Sequence, residues 1–158
     1  MSKVVVTPQG DREIVITRAF AAPRSLVFDA MSKPEMMKQW FHGPIGWKLL
    51  VCEIDLRVGG TYRWVWRNQA GNDMGMGGVY KKVDRPVRIV STEKFDQAWY
   101  PGEALVTLEL AEEKGITLMS LTVTYESQAA RDGVLASPME SGLIAGYDRL
   151  DAFLSTTN

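Results

Sequence analysis

The residue types that most often perform nucleophilic or metal chemistry are sparse, with one histidine and one cysteine in the chain. His42 precedes a Gly-Pro turn, and no nearby motif supplies the nucleophile or orienting carboxylate of a general base. It also lacks the paired His, Cys or Asp spacing of a zinc site. Cys52 lies in an apolar strand without the cationic neighbour that lowers a thiol pKa. We therefore predict no catalytic residue, no metal site and no cofactor, with His42 in a loop and Cys52 half-buried.

Two further motifs have the composition of a binding site, but the secondary structure around each does not suit that site. Residues 71–78 are rich in glycine, yet they match no phosphate-loop pattern and precede a strand rather than a helix. Residues 63–67 alternate arginine with tryptophan, but a strand turns the rings and the guanidinium groups to opposite faces. The 18 basic and 19 acidic residues leave no basic surplus. We interpret 71–78 as a hairpin loop entering a bulged strand and predict no nucleic-acid partner.

Large aromatic and methionine side chains are spaced so that many share one side of a sheet. Alternation along the strands, together with the flanking helices and loops, gives thirteen candidates for the lining of a cavity. They are Trp40, Tyr62, Trp64, Trp66, Met76, Glu93, Phe95, Trp99, Met119, Leu121, Met139, Leu143 and Tyr147. Met74 and Val123 lie in the same strands. Such residues are equally typical of a filled core, so a cavity and a solid core both remain open.

Two observations favour the cavity: rings this large on one small sheet, opposite Gly142 and Gly146, suggest imperfect filling, and methionine adapts to variable partners. Glu93 shares the inward parity of Phe95, where a carboxylate is costly unless an arginine, a tyrosine hydroxyl or a ligand group pairs with it. Gly142 and Gly146 fall inside the last predicted helix, and each costs about 1 kcal/mol relative to alanine. Close approach of another element, or room for a ligand, would offset that cost.

Length and composition predict one domain over residues 1–158, with a core of about 12–156. The chain has 158 residues, of which 46% are hydrophobic and 23% charged, and this argues against disorder. A single cysteine cannot form an internal disulfide. The apolar run at the N-terminus is too short for a signal peptide, and no run approaches 18 apolar residues. We therefore expect a cytoplasmic protein without membrane insertion.

The elements that must position these side chains follow a strand–helix–sheet–helix order. A strand is predicted over 13–20, a helix begins with Pro23 in its first turn, and a capping box from Ser32 to Glu35 begins a second short helix. Six strands follow, over 47–56, 61–67, 74–83, 87–95, 104–110 and 116–125. The short loops between them predict antiparallel pairing.

The C-terminal segment predicts one long helix. Ser137 is placed as N-cap, Pro138 in the first helical position and Glu140 at the capping-box position. Leu150 and Leu154 continue an apolar stripe along it. The economical arrangement is an α+β fold in which a curved antiparallel sheet wraps the last helix, with two short helices after the first strand.

Several segments carry a resemblance to a known family over nearly the whole chain. They are residues 18–23, Lys33-Pro34-Glu35 with Trp40, the Asp-Leu-Arg-x-Gly-Gly stretch within 53–60, residues 78–80, and residues 147–150 with Leu154. The pattern resembles bacterial proteins similar to the C-terminal domain of the heat-shock ATPase activator Aha, in the START-like (SRPBCC) superfamily. The resemblance implies a helix-grip fold, like that of birch-pollen allergens, with a hydrophobic cavity. It implies no particular reaction.

Three functions are consistent with these residues. The first is binding of a small hydrophobic or aromatic molecule between sheet and helix, with Glu93 or Tyr62 orienting its polar end. The second is an enzyme of the cyclase or hydrolase type, using Glu93 or Tyr147 as acid or base, although no motif pairs these groups. The third, implied only by the resemblance, is a co-chaperone-like contact with another protein. A homodimer also remains open.

Overall fold

The computed structural model describes residues 3–97 and 100–157, which form eight β-strands and four α-helices. In chain order these are β1 (Val5–Gln9), β2 (Glu13–Phe20), α1 (Arg24–Ala30), α2 (Pro34–Met37), β3 (Trp47–Ile54), β4 (Thr61–Asn68), β5 (Asp73–Asp84), β6 (Arg88–Phe95), β7 (Ala104–Glu113), β8 (Ile116–Thr124), α3 (Gln128–Leu135) and α4 (Met139–Thr157). The strands form one open, curved, antiparallel sheet in the order β1-β2-β8-β7-β6-β5-β4-β3. The predicted α+β helix-grip fold is confirmed.

The inner face of the sheet holds α4 through apolar packing and one buried charge. Burial alternates along β2, so that Ile14, Ile16 and Phe20 face inward, as period-two geometry requires. Arg18 shares that face, and its guanidinium group donates to a carboxylate oxygen of Asp148 in α4 at 2.7 Å. The nearly buried arginine therefore positions α4 against β2.

The outer face of β4 carries the arginines, as alternation predicts. Arg63 donates to both carboxylate oxygens of Asp96, one of them at 2.6 Å. Arg67 donates to Asp73 at 2.6 Å. Both arginines are thus paired with acids on the face opposite the tryptophan rings, and they form no joint platform with them.

The glycine-rich stretch has a structural role. Residues 73–78 of this stretch lie in β5, whose pairing with β6 contains a bulge between Tyr80 and Lys82. A Cβ atom added at Gly78 would collide with the carbonyl oxygen of Thr92 on β6. Glycine here lets two backbones approach closely, and the bulged-strand interpretation is confirmed.

The two short helices are confirmed, but the capping box of the second is wrong. Ser32 donates its hydroxyl back to the Phe28 carbonyl at 2.7 Å, at the end of α1. Lys33 is the N-cap of α2, Pro34 takes the first helical position, and no side chain caps this end. The Phe28 carbonyl lies in the last turn of the preceding helix, where its backbone partner is the N–H of Met31 at 3.2 Å, and it competes for the serine hydroxyl.

The starts of α1 and α4 differ from the prediction by one or two residues. Pro23 is the N-cap of α1 rather than a residue of its first turn. α4 begins at Met139, and the hydroxyl of Ser137 donates to the Val134 carbonyl at 2.5 Å instead of capping α4. Ser137 follows another helix, whose last carbonyls attract its hydroxyl.

Two elements, β1 and α3, were not predicted. β1 lies at the edge of the sheet and pairs only with β2, which is where a strand tolerates Pro8. α3 is capped by Ser127, whose hydroxyl accepts from the backbone N–H of Ala130 at 3.0 Å. Because β1 precedes it, the strand predicted over 13–20 is the second strand of the sheet.

No helix within residues 3–97 and 100–157 combines the length and the hydropathy needed to cross a membrane.

Candidate functional site

A cavity lies between the inner face of the sheet and α4, in two adjoining chambers. The first chamber, of about 260 Å³, reaches β4, α4 and the loop between α2 and β3. The second, of about 210 Å³, lies deeper against β4, β5 and β6. Six residues line both: Trp40, Phe41, Glu93, Leu121, Leu143 and Tyr147. Small-molecule sites usually have volumes of about 300–1,000 Å³, so the two chambers together have the size of one such site.

Most of the predicted lining residues meet at this cavity. Trp66, Phe95 and Met139 line the first chamber only, together with Met74 and Val123. Tyr62, Trp64 and Met76 line the second only. Trp40, Glu93, Leu121, Leu143 and Tyr147 line both. Met119 is fully buried in the core on β8 and lines neither chamber, and Trp99 lies outside the described residues.

The two glycines of α4 have different neighbours. A Cβ atom at Gly142 would lie 3.2 Å from Cγ of Pro44, so the loop after α2 approaches the helix closely there. Gly146 is buried and lines the first chamber, yet a Cβ atom there would meet nothing within 4 Å. Close approach accounts for the first glycine and open space for the second.

Three polar ring groups at the cavity are bound to backbone carbonyls. Trp40 donates its indole N–H to Ala30 at 2.8 Å, and Trp66 donates to Phe41 at 3.0 Å. The hydroxyl of Tyr62 donates to Thr92 at 2.5 Å. These bonds satisfy the polar atoms of these three side chains and hold the rings in place, whereas the buried indole N–H of Trp64 has no hydrogen-bond partner in the described part of the chain. What the three rings have left to offer a ligand is aromatic surface.

Phe41 is the main residue that sequence reasoning missed. Its ring lies 4.9 Å from that of Trp64 and 5.2 Å from that of Trp66, both in edge-to-face geometry. It also contacts Trp40 at 5.1 Å. Phe41 belongs to a loop, where neither strand nor helix periodicity assigns a direction to a side chain. Its position beside Trp40 was the one available signal.

Among the residues that the structure describes, Glu93 is the only one with a carboxylate or a basic group in the lining of either chamber. One carboxylate oxygen accepts from the hydroxyl of Tyr100 at 2.9 Å. Burial raises the pKa of the Glu93 carboxyl, and the hydrogen bond from Tyr100 opposes that shift only in part. The Glu93 side chain is half-buried, because one side of it faces the cavity. Burial thus shifts the Glu93 carboxyl group toward its neutral form.

Tyr147 lies opposite, on α4. Its ring lies 6.3 Å from that of Trp40 and 6.1 Å from that of Phe20. Burial raises the pKa of its hydroxyl, which makes no hydrogen bond to the described part of the chain. Glu93 and Tyr147 do not bond to each other. They are separate polar groups facing a shared apolar space.

His42 lies in a loop, as predicted, whereas Cys52 is buried in the core rather than half-buried. Nδ1 of His42 accepts from the backbone N–H of Leu49 at 3.1 Å, which ties the cavity loop to β3. Burial raises the pKa of the buried Cys52 thiol to about 11, so the group is neutral near pH 7. Among residues 3–97 and 100–157, no three His, Cys, Asp or Glu side chains are grouped to hold a metal ion.

The bond between His42 and Leu49 makes stability depend on pH. Burial, and then the charges of Arg149 and Lys48, lower the pKa of His42 from its ordinary 6.5. The unfolded chain therefore takes up the proton first, and this contribution to stability is present above about pH 6.5 and lost as pH falls through the folded pKa. His42→Asn keeps an acceptor near Leu49 without the titration. In urea unfolding from pH 5 to 7 we expect the variant to lose less stability on acidification than wild type. If the free energy of unfolding changed equally between pH 5 and pH 7 in both proteins, the prediction would be contradicted.

The fold and the cavity can be compared with known proteins. A protein from Rhodobacter sphaeroides is 29% identical over 98% of this chain and 99% of its own, with a TM-score of 0.92. One from Nitrosomonas europaea is 22% identical over 95% and 98%, with a TM-score of 0.82. One from Mycobacterium smegmatis is 23% identical over 98% and 99%, with a TM-score of 0.81. The last two likenesses concern the fold alone.

Sequence comparison assigns the family. None of the curated protein sequences matches the chain significantly. The profile described as Activator of Hsp90 ATPase homolog 1-like protein matches residues 21–155, which is most of the chain. That range extends from the start of α1 to the last turn of α4 and contains most of the sheet. The chain therefore belongs to the Activator of Hsp90 ATPase homolog 1-like protein family.

Proposed function

We propose that this protein binds a small hydrophobic or aromatic molecule in the cavity between the sheet and α4. The observation that carries the proposal is the buried Gly146, which lines open space where a core residue would have neighbours within 4 Å. Protein interiors are close-packed, and voids of this size are few in a domain. An apolar space of about 260 Å³ with a second one beside it is typical of a binding site.

The lining supports an apolar or aromatic ligand. Apart from Glu93, the chambers are bounded mainly by aromatic, methionine and aliphatic side chains. The aromatic rings of Phe41, Trp64 and Trp66 offer edge-to-face or stacked contact to a second ring. Methionine side chains such as Met74 and Met76 adapt their shape to different partners. Binding without turnover is favoured because Glu93 and Tyr147 lack a paired nucleophile or base.

The test is a panel of fatty acids, sterols, flavonoids and polyketide-like aromatics, measured by tryptophan fluorescence and thermal shift. A ligand at ten times its Kd stabilises the folded state by about 1.4 kcal/mol, which raises Tm by about 3–6 °C in a chain of this size. We expect at least one compound to do this and to change the emission. A panel in which no compound changes either signal would argue against the cavity as a binding site.

Matched tryptophan variants localise the signal. Trp66 lines the first chamber, whereas Trp47 in β3 is half-buried and lines neither. We expect Trp66→Phe to lose most of the ligand-induced emission change and Trp47→Phe to retain it. The same change in both variants would place the ligand elsewhere. Consumption of a bound compound, followed by chromatography, would instead indicate the enzymatic alternative.

A further inference from the structure

We propose that the ligand of this cavity is an organic cation, an apolar molecule whose ammonium group lies against Glu93 and the surrounding rings. This inference rests on the proposed function and specifies its ligand class. It comes from the charge of the lining, from the aromatic surface and from the free bonding capacity of one carboxyl group.

The charge of the lining selects against anions. Within the described part of the chain, Glu93 is the only carboxyl group that lines either chamber, and no lysine, arginine or histidine lines them. A ligand carboxylate or phosphate would enter without a cationic partner and near an acid, at a large cost in desolvation. Arg18, a buried cation on the inner face of β2, lines neither chamber and is already paired with Asp148. A positive ligand group would instead find its counter-charge in Glu93.

The aromatic surface suits the same charge. Trp64 lies 4.4 Å from Tyr62 and 6.2 Å from Trp66, measured between ring centroids, and Phe41 packs against both tryptophans. The faces of aromatic rings carry partial negative charge and attract ammonium groups within about 6 Å. The polar edges of Tyr62 and Trp66 are already bound to carbonyls. Their rings can therefore contribute their faces.

Glu93 has bonding capacity to spare. A carboxylate can accept about four hydrogen bonds, and Glu93 accepts one, from Tyr100. Burial raises the pKa of Glu93 and so shifts the carboxyl group toward its neutral form. An ammonium group beside it would reverse that preference and form a charge-assisted hydrogen bond. A purely structural Glu93, serving only to hold Tyr100, would have no preference among ligand charges.

Three probes with one apolar body test the inference: 4-phenylbutylamine, 4-phenylbutanol and 4-phenylbutyrate, measured by calorimetry at pH 7. In the wild-type protein we expect the amine to bind about tenfold more tightly than the alcohol, with the carboxylate weakest. This comparison needs no variant, so it does not depend on a substitution that folds. An alcohol that binds as tightly as the amine would overturn the inference and leave the proposed function standing.

Glu93→Gln tests the residue itself, because the amide oxygen keeps an acceptor for Tyr100. We expect the variant to bind the amine at least about tenfold more weakly and the alcohol within about threefold of wild type. Glu109→Gln removes the same charge at an exposed position of β7 and should leave all three affinities unchanged. Unchanged amine binding in Glu93→Gln would overturn the inference. If none of the three probes binds while a neutral panel compound does, the inference of a cationic ligand fails and the proposed binding function stands. If no compound of any kind binds, both proposals fail.

Discussion

Gly146→Leu is expected to weaken binding of the best panel compound by about tenfold to a hundredfold, while it stabilises the unliganded protein. The added side chain enters the first chamber, where a Cβ atom meets nothing within 4 Å. A ligand that must share that space faces overpacking of about 1–3 kcal/mol. The empty protein gains about 0.5–1 kcal/mol from replacing a helical glycine. Isothermal titration and urea unfolding measure the two effects.

A second helical glycine provides the control. Gly133 in α3 is exposed to solvent, and a Cβ atom there also meets nothing within 4 Å. Gly133→Leu should therefore give a similar gain in helix propensity, with ligand affinity unchanged. The two variants differ in whether the new side chain faces the cavity or water. If Gly146→Leu binds ligand as wild type does, the first chamber is not the site.

Arg131→Met is expected to lower the free energy of unfolding by about 3–5 kcal/mol, a large part of the stability of an ordinary domain. The buried Arg131 in α3 donates from one nitrogen to the carbonyls of Gly10 and Glu13, each at 3.0 Å. Methionine keeps the apolar stem but leaves these carbonyls without their charged donor. The turn between β1 and β2 would lose its anchor to α3.

Urea unfolding and hydrogen exchange together test this prediction. The amides of β1 (Val5–Gln9) should exchange faster in Arg131→Met, because this edge strand has β2 as its only strand neighbour. Arg57→Met is the matched control, since Arg57 is mostly exposed and pairs with Asp55 on the surface. An exposed pair contributes about 0–1 kcal/mol. A loss in Arg131→Met no larger than in Arg57→Met would refute the anchoring role.

The anchoring arginine joins the two elements that the sequence did not reveal. β1 contains Pro8 and only a short apolar run, and its pairing with β2 depends on its place at the edge. α3 is short, includes Gly133, and buries only Ala130, Arg131 and Val134. Local propensity is weak for both segments. Their stability comes from contacts between residues more than a hundred positions apart.

Much of the site could be predicted because strand geometry is local. Two-residue alternation assigns Tyr62, Trp64 and Trp66 to one face and Arg63 to the other, whatever the rest of the fold. The same parity turned Glu93 toward the interior. Phe41 could not be predicted in this way, because side-chain directions in a loop follow no regular period. Met119 shares the parity of Leu121, yet parity cannot say whether an inward side chain meets the core or a cavity.

The sequence by itself determined the order of all elements except β1 and α3, the face that each strand side chain takes and the helical segment that the sheet encloses. These depend on neighbours a few residues apart. The tertiary structure alone decided that Gly142 admits Pro44 whereas Gly146 borders open space. It also decided that Glu93 has Tyr100 rather than an arginine beside it. The contact of Gly142 with Pro44 joins elements remote in sequence and follows from how the curved sheet closes on α4. Tyr100 lies only seven residues after Glu93, but it stands outside any strand or helix, where no periodicity assigns a direction to a side chain.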